Sequence, residues 1–279
     1  MGKIILLDGA FGTSLWEKAA ARGIEKVPTW HYNIEHPELI DELVKEYAQA
    51  GADYIQANTF SANRFAMKGA KYSVSDIVKE GVQVTKSALA GTGKKTVLSV
   101  GPLPVLMEPY GDLEEDEAIE IYNEIFEAAM PCGPDIITLE TFMDLGMISV
   151  AAREAVKYGV PVLATMTFEK RCRTMMGNKI EDIVEELADA GVTAVGMNCS
   201  LGPEEAVPVI EEFAKNTDMP LIFKPNAGMP VIKEDGTEEK LFSARAFAES
   251  VAPVLPLVSY VGGCCGTDPS FIAELKKLL

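Results

Sequence analysis

No stretch of the sequence reaches the roughly 18 consecutive apolar residues that a membrane-crossing helix needs, so no membrane span is expected. The N-terminus, MGKIILLDGA, has an apolar run of only four residues before Asp8. That is too short for the core of a signal peptide. Met1-Gly2 opens like a myristoylation signal, but Leu6 stands where Ser or Thr is required. Basic residues are in deficit: 25 Lys and Arg against 42 Asp and Glu leave a formal net charge of −17. A surface of that sign repels nucleic acid and anionic membranes, which argues against either as a partner. The acidic runs within 112–117 and 181–186 fall on expected helices and read as solvated faces. The five cysteines are an odd number and include no CxxC pair. This fits a reducing cytoplasm and argues against a disulfide framework. No linker rich in Pro, Gly or Ser and no low-complexity segment divides the chain. No GxGxxG follows the first apolar run, where a doubly wound nucleotide-binding sheet would want it; DGAFGTS stands there.

Hydrophobic residues make up 48% of the 279. That is enough for a sizeable core, as one α/β barrel or two smaller units. Short runs rich in Val and Ile recur at 4–8, 54–60, 96–102, 135–141, 161–168, 194–200, 221–228 and 260–266. Each is about a strand long and lacks polar alternation, as a parallel strand buried on both faces should. Amphipathic stretches lie between them at 37–50, 75–89, 114–130, 144–158, 180–190, 203–215, 243–251 and 269–278. In the first, Leu39, Ile40, Leu43, Val44, Tyr47 and Ala48 form one helical stripe, opened by Pro37 and closed by Gly51. Eight strand–helix pairs predict a single (β/α)8 TIM barrel over residues 1–279. The polar excursion at 233–240 (KEDGTEEK) reads as a loop after the seventh strand or a small hairpin about Asp235-Gly236.

A barrel carries its chemistry at the carboxyl ends of its strands. Three of the five cysteines fall there: Cys199 after the sixth strand, and Cys264 and Cys265 after the eighth. Adjacent cysteines seldom pair with each other, because the disulfide would distort the peptide between them. The flanking glycines let two consecutive side chains turn the same way, which a flat strand forbids. The three thiols could therefore share one ion. A tris-thiolate zinc site with one open position binds a further thiol and lowers its pKa. Cobalt or cadmium would suit the same ligands. Free cysteine is also a common core residue, so packing is the competing reading. Cys132 and Cys172 fall off the strand ends and receive no role.

Asp8 and Glu140 end two other strands and could together hold an ammonium group. They could also form a general acid–base pair, or Asp8 could simply cap the next turn. Backbone N–H groups of the turn Gly9, Ala10, Phe11, Gly12, Thr13 could hold a carboxylate. A metal-free aldolase or lyase would need a Schiff-base lysine at a strand end, and Lys224 is the candidate.

Taken together, DGAFGTS, GADYIQANTF, LETF, MNCSLGPEE, PNAG and GGCCGTDP resemble the homocysteine S-methyltransferase family, in the family's order and over nearly the whole chain. The closest resemblance is to the homocysteine-binding domain of cobalamin-dependent methionine synthase. It implies a zinc barrel in which Cys199, Cys264 and Cys265 are ligands and Asp8 and Glu140 hold the homocysteine amino group. Asn226, in PNAG, would fill the fourth position until the substrate thiol displaces it. The expected activity is methyl transfer to homocysteine, giving methionine. A chain of 279 residues has no room for folate- or cobalamin-binding domains. The donor is then expected on a separate methyl-corrinoid protein or as free methylcobalamin.

Betaine-using members of that family carry a Trp near Trp30, and PTWHYNIEHPELI sets Trp30, His31 and Tyr32 in a row. Such rings could cage a betaine or sulfonium donor through cation–π attraction, or could line the mouth or pack under a loop. Thr141 stands where those enzymes place Tyr, and their dimerisation extension is missing. Methionine synthases place an acidic residue near Trp30 and His31. The loop EKRCRTMMGNK, with Lys170, Arg171, Arg173 and Lys179, could meet an acidic partner or anionic donor, or be an ordinary solvated loop. A last reading makes the chain a homocysteine-binding subunit or demethylase component, active only beside a corrinoid partner.

Overall fold

The structure is a computed structural model that describes residues 3–228, 231–232, 238–239 and 242–279. In chain order its strands are β1 (Ile5–Leu6), β2 (Tyr54–Gln56), β3 (Lys95–Val100), β4 (Ile136–Phe142), β5 (Val162–Met166), β6 (Ala194–Asn198), β7 (Leu221–Lys224), β8 (Val231–Ile232), β9 (Glu238–Glu239) and β10 (Tyr260–Val261). Its helices are α1 (Gly12–Ala21), α2 (Tyr32–Glu35), α3 (Pro37–Ala50), α4 (Val74–Ala88), α5 (Glu115–Ala129), α6 (Leu145–Ala155), α7 (Ile180–Ala190), α8 (Pro203–Asn216), α9 (Ala244–Val251) and α10 (Pro269–Lys276). Eight strands pair in the order β1-β10-β7-β6-β5-β4-β3-β2, every pair parallel. A parallel bridge between Leu7 and Tyr54 brings the two edges together, so the sheet is a (β/α)8 barrel, as the alternation predicts. β8 and β9 pair antiparallel outside it. They bracket the KEDGTEEK excursion, of which residues 233–237 and 240 lie outside the described residues.

The helices form because each buries one stripe against the sheet. α3 buries Leu39, Ile40, Leu43, Val44 and Tyr47 completely. An aliphatic side chain buried in this way contributes about 1.5–3 kcal/mol. The helix stops at Gly51, which adopts φ 103°, the left-handed conformation that glycine takes at least cost. α4 starts from a reciprocal cap in which the Ser73 hydroxyl accepts from the Asp76 N–H and the Asp76 carboxylate accepts from the Ser73 N–H.

Two elements differ from expectation. α1 and α2 occupy ground that the sequence offers as a turn and an aromatic row. Gly12-Thr13-Ser14 reads locally as loop, and α1 forms because Leu15 and Ala19 gain full burial against the core. The strands are also shorter than the apolar runs. β6 ends at Asn198, β7 at Lys224 and β10 at Val261, and the remaining residues of each run leave the ladder to build the barrel's upper face.

Side-chain alternation grades the barrel axis. Leu7, Val97, Ile136, Leu163, Ala194, Ile222 and Tyr260 form an apolar floor inside the barrel. Two residues further along the same strands stand Ser99, Thr138, Thr165, Gly196 and Lys224, and a further two bring Glu140, Asn198, Asn226 and Cys264. Inward positions recur every second residue in a strand, so one register carries the axis from hydrocarbon to polar to chemically reactive groups.

Candidate active site

A cavity of about 700 Å³ opens at the carboxyl ends of the strands. It is lined by Gly9, Ala10, Phe11, Gly12 and Thr13, by Glu140 and Thr141, and by Cys199, Lys224, Cys264 and Cys265, with Trp16, Lys26, Val27, Pro28 and Phe60 further out. The structure brings together the three cysteines that the sequence singles out. Cys199 Sγ lies 3.6 Å from Cys265 Sγ. All three sulfurs lie within 4.8 Å of one another. Tetrahedral zinc with bonds of about 2.3 Å sets its sulfurs roughly 3.8 Å apart, so the cluster already has close to ligand spacing.

The backbone is bent to achieve this. Cys199 and Ser200 adopt φ 61° and 59° in succession, a left-handed pair rare outside glycine. The Cys199 N–H donates to Lys224 O at 3.0 Å, and Leu201 N–H donates back to Cys199 O at 2.7 Å. Cys264 opens a tight turn in which both the N–H and the hydroxyl of Thr267 donate to Cys264 O. Thr267 Oγ1 also accepts from the Ala10 N–H, which ties the Gly9–Thr13 turn to the thiols. Only glycine fits beside it: a Cβ on Gly263 would lie 2.5 Å from Thr267 Oγ1, and one on Gly9 2.6 Å.

The donor set fits a thiolate-binding metal. The buried Oδ1 of Asn226 has no hydrogen-bond partner among the described residues, although its side chain sits beside Cys199. A buried carbonyl oxygen without a donor is costly unless a cation or water completes it. Hydrogen bonds from the Cys264 and Cys265 thiols, with a backbone N–H at Ser200, hold Cys199 well below the ordinary thiol range. The same interactions, with burial, push Cys264 upward. No other group of metal-ligating side chains of this kind occurs among the described residues, and Cys132 and Cys172 lie outside it.

Several site residues escape the sequence reading. Asn198, fully buried, donates to Cys264 Sγ at 3.6 Å and to Thr141 Oγ1 at 2.8 Å, and accepts from Thr141 N–H and Thr165 Oγ1. It fixes both a thiol and the β4 bulge, where register shifts between Leu139 and Phe142 and Thr141 takes φ 68°. Asn198→Ala should therefore weaken metal affinity by roughly 10–100-fold. Competition against a chelator, run beside thermal unfolding, would read this, and unchanged affinity would remove Asn198 from the site. Gln56 Nε2 and Ser99 Oγ both donate to Glu140 Oε1 and aim it. Their inward positions on β2 and β3 were the available signal.

Asp8 sits lower than Glu140. It is 1% exposed, does not line the cavity, and accepts from Gln56 N–H at 2.7 Å and from the Lys224 ammonium at 3.3 Å. Burial raises its pKa to about 6, against the pull of Lys224. Burial acts to lower the pKa of Lys224, but Asp8 and Glu140 outweigh it and the net shift is upward. Lys224 Nζ is held in ion pairs with Asp8 and Glu140, and a Schiff-base mechanism needs a free amine, which argues against the aldolase reading. The aromatic cage fails too: Trp30 and Tyr32 are 4% and 0% exposed, Trp30 stacks on His31, and none of the three lines the cavity. In the basic loop, Lys170 pairs with Glu205, Lys179 with Glu181, and Arg173 bonds Gly177 O, as an ordinary solvated loop would.

A parallel barrel with convergent thiols above its strand ends defines a class of barrel proteins built to carry chemistry on that face. Within that class, a sequence model of the homocysteine S-methyltransferase family matches residues 5–279, and the chain belongs to this family. It is 29% identical to methionine synthase of Mycobacterium tuberculosis over 297 residues, covering 98% of this chain and 24% of that protein. Methionine synthase of Mycobacterium leprae matches with the same identity and coverage. The chain thus spans about a quarter of the length of these curated relatives. Among solved structures it superposes on the metallated form of the homocysteine methyltransferase MmuM from Escherichia coli, with a TM-score of 0.80 and 23% identity over 99% of this chain and 96% of that one. The apo form of the same protein gives 0.74. At that identity the likeness is one of fold.

Proposed function

We propose that the chain is a zinc-dependent S-methyltransferase that methylates the thiol of homocysteine to give methionine. The observation that carries this reading is the convergence of Cys199, Cys264 and Cys265 with the unpartnered Asn226 oxygen at one cavity wall. These four groups would hold the zinc. A bound zinc ion supplies the Lewis acidity that keeps an acceptor sulfur as thiolate near neutral pH. The chain's own residues position the acceptor. Glu140, aimed by Gln56 and Ser99, faces the cavity with negative charge for the amino group, and Asp8 adds to that charge from behind. α1 has no side-chain cap at its start, so its first N–H groups are available to the acceptor carboxylate. The acceptor's thiol proton leaves to solvent. Its thiolate lone pair forms the new S–CH3 bond as the bond from carbon to the donor breaks, and the donor keeps that electron pair. The protein aligns the two reactants and excludes water from them.

The outer cavity favours a carrier-borne donor. Of the aromatic residues that line it, Phe11, Trp16 and Phe60, Trp16 already has Lys26 Nζ 4.4 Å from the ring centroid. A cationic betaine or sulfonium donor would meet a positive charge there. Exposed Phe60, Leu106, Tyr110 and Met175 stand on loops that follow β2, β3 and β5, a rim suited to a protein presenting methyl-corrinoid. The test is metal content by mass spectrometry, followed by methionine formation from homocysteine with betaine, a methylsulfonium, methylcobalamin or a methylated corrinoid protein. About one zinc per chain and transfer from the corrinoid donors are expected. Transfer with a corrinoid protein but not with free methylcobalamin would assign the chain as a subunit of a larger system. No metal after reconstitution under reducing conditions would sink the proposal.

A further inference from the structure

The chemistry proposed above gives no task to Lys224, the buried ammonium at the end of β7. It is 3% exposed, and its Nζ lies 3.3 Å from Asp8 Oδ1 and 3.7 Å from Glu140 Oε2. The other oxygens of those carboxylates are already engaged. Asp8 Oδ2 accepts from the Gln56 N–H, and Glu140 Oε1 accepts from Gln56 Nε2 and Ser99 Oγ. Two of the four carboxylate oxygens thus go to neutral donors, and the other two face one internal cation. The ammonium of a protein side chain thus lies between the two carboxylates that would also attract a substrate ammonium.

This changes what the cavity selects. Two carboxylates attract an incoming ammonium strongly in a site of low dielectric, but Lys224 cancels about half of that field to first order. Lys224 also lines the cavity. An ammonium has three N–H donors, and the two carboxylates leave one of them for a ligand. An anionic head group gains from that donor, and a substrate ammonium gains less than the two carboxylates alone would give it.

We propose that Lys224 is the specificity-determining residue of the acceptor subsite: by neutralising part of the carboxylate pair that would hold the substrate ammonium, it admits thiol carboxylates without an amino group alongside homocysteine. The proposal rests on the thiol-acceptor reading above. It predicts that the zinc-loaded protein binds 4-mercaptobutyrate, which is homocysteine without its amino group, within about tenfold of homocysteine itself.

Isothermal titration of both thiols into the zinc-loaded wild type and Lys224→Met tests this. Methionine keeps the length of the side chain and removes its charge, leaving the carboxylate pair open to the substrate ammonium. Homocysteine should then be preferred by about a hundredfold or more. A merely structural lysine would weaken both thiols alike. Should Lys224→Met not fold, the double variant Asp8→Asn, Lys224→Met keeps the net charge, leaves Glu140 open to the substrate ammonium and predicts a smaller rise in the same direction. A wild-type preference for homocysteine above about a hundredfold, or an unchanged ratio in the folded variant, overturns the role of Lys224 and leaves the acceptor reading standing. Binding of neither thiol overturns both.

Discussion

Cys265→Ser is expected to abolish metal retention and methyl transfer while leaving the barrel folded. The serine hydroxyl does not ionise near neutral pH, so the proposed metal site would lose one of its three anionic ligands. Cys265 is the exposed member of the cluster and lies in the turn after β10, outside the sheet. Its replacement should therefore cost about 0.5 kcal/mol of stability or less. Activity should fall by about a thousandfold or more, equivalent to about 4 kcal/mol of transition-state stabilisation. Metal analysis, transfer assays and thermal unfolding on the same preparation separate these effects. Full activity in a metal-free variant would show that the thiols are packing groups, and the metal reading would be lost. Cys264→Ser should lose the metal equally. It is a less clean test, because Cys264 also receives the Asn198 amide and its neighbours hold the turn.

The cysteine convergence is legible in sequence for a geometric reason. Parallel strands all end on one face, so residues placed just after the sixth and eighth strands must meet there, whatever the loops do. The runs themselves are legible because both of their faces are buried, which removes polar alternation. What stays hidden depends on distances that only closure of the barrel sets. Lys224 is two residues before Asn226 in sequence, and nothing local announces that its ammonium meets Asp8, 216 residues away. The left-handed Thr141 and the β4 bulge follow from the Asn198 side chain reaching across from β6, again a long-range cause. The row Trp30, His31, Tyr32 misleads for the converse reason. Aromatic composition is visible in sequence, but whether a ring faces a cavity or the core is decided by helix packing, and Trp30 and Tyr32 face the core.

Gly196→Ala should be the most damaging single substitution in the sheet, and its effect should reach the site. Gly196 lies in β6, in register with Ile222 of β7. A Cβ there would sit 2.0 Å from Ile222 O and 2.8 Å from both Ile222 C and N. The obstacle is backbone in a paired strand, so no rotamer change relieves it. The strands must separate, which breaks ladder hydrogen bonds inside the barrel wall. Overpacking of a core usually costs 1–3 kcal/mol, and a clash with fixed backbone should cost about 3 kcal/mol or more. For a domain of this size that corresponds to a fall in Tm of roughly 6–12 °C. Asn198, the last residue of that strand, and Cys199, just beyond it, follow two and three residues later, so displacing β6 should also loosen the proposed metal site. Gly191→Ala is the matched control. That residue ends α7 with φ 86° and has open space around its Cβ position, so only the left-handed penalty of roughly 1–2 kcal/mol applies, without loss of metal. If Gly196→Ala melts within about 2 °C of wild type, β6 and β7 have slack that this close approach denies. If it melts low but keeps its metal, the thiol cluster is held by the turn at Cys264–Thr267 and not by the strand that leads to Cys199.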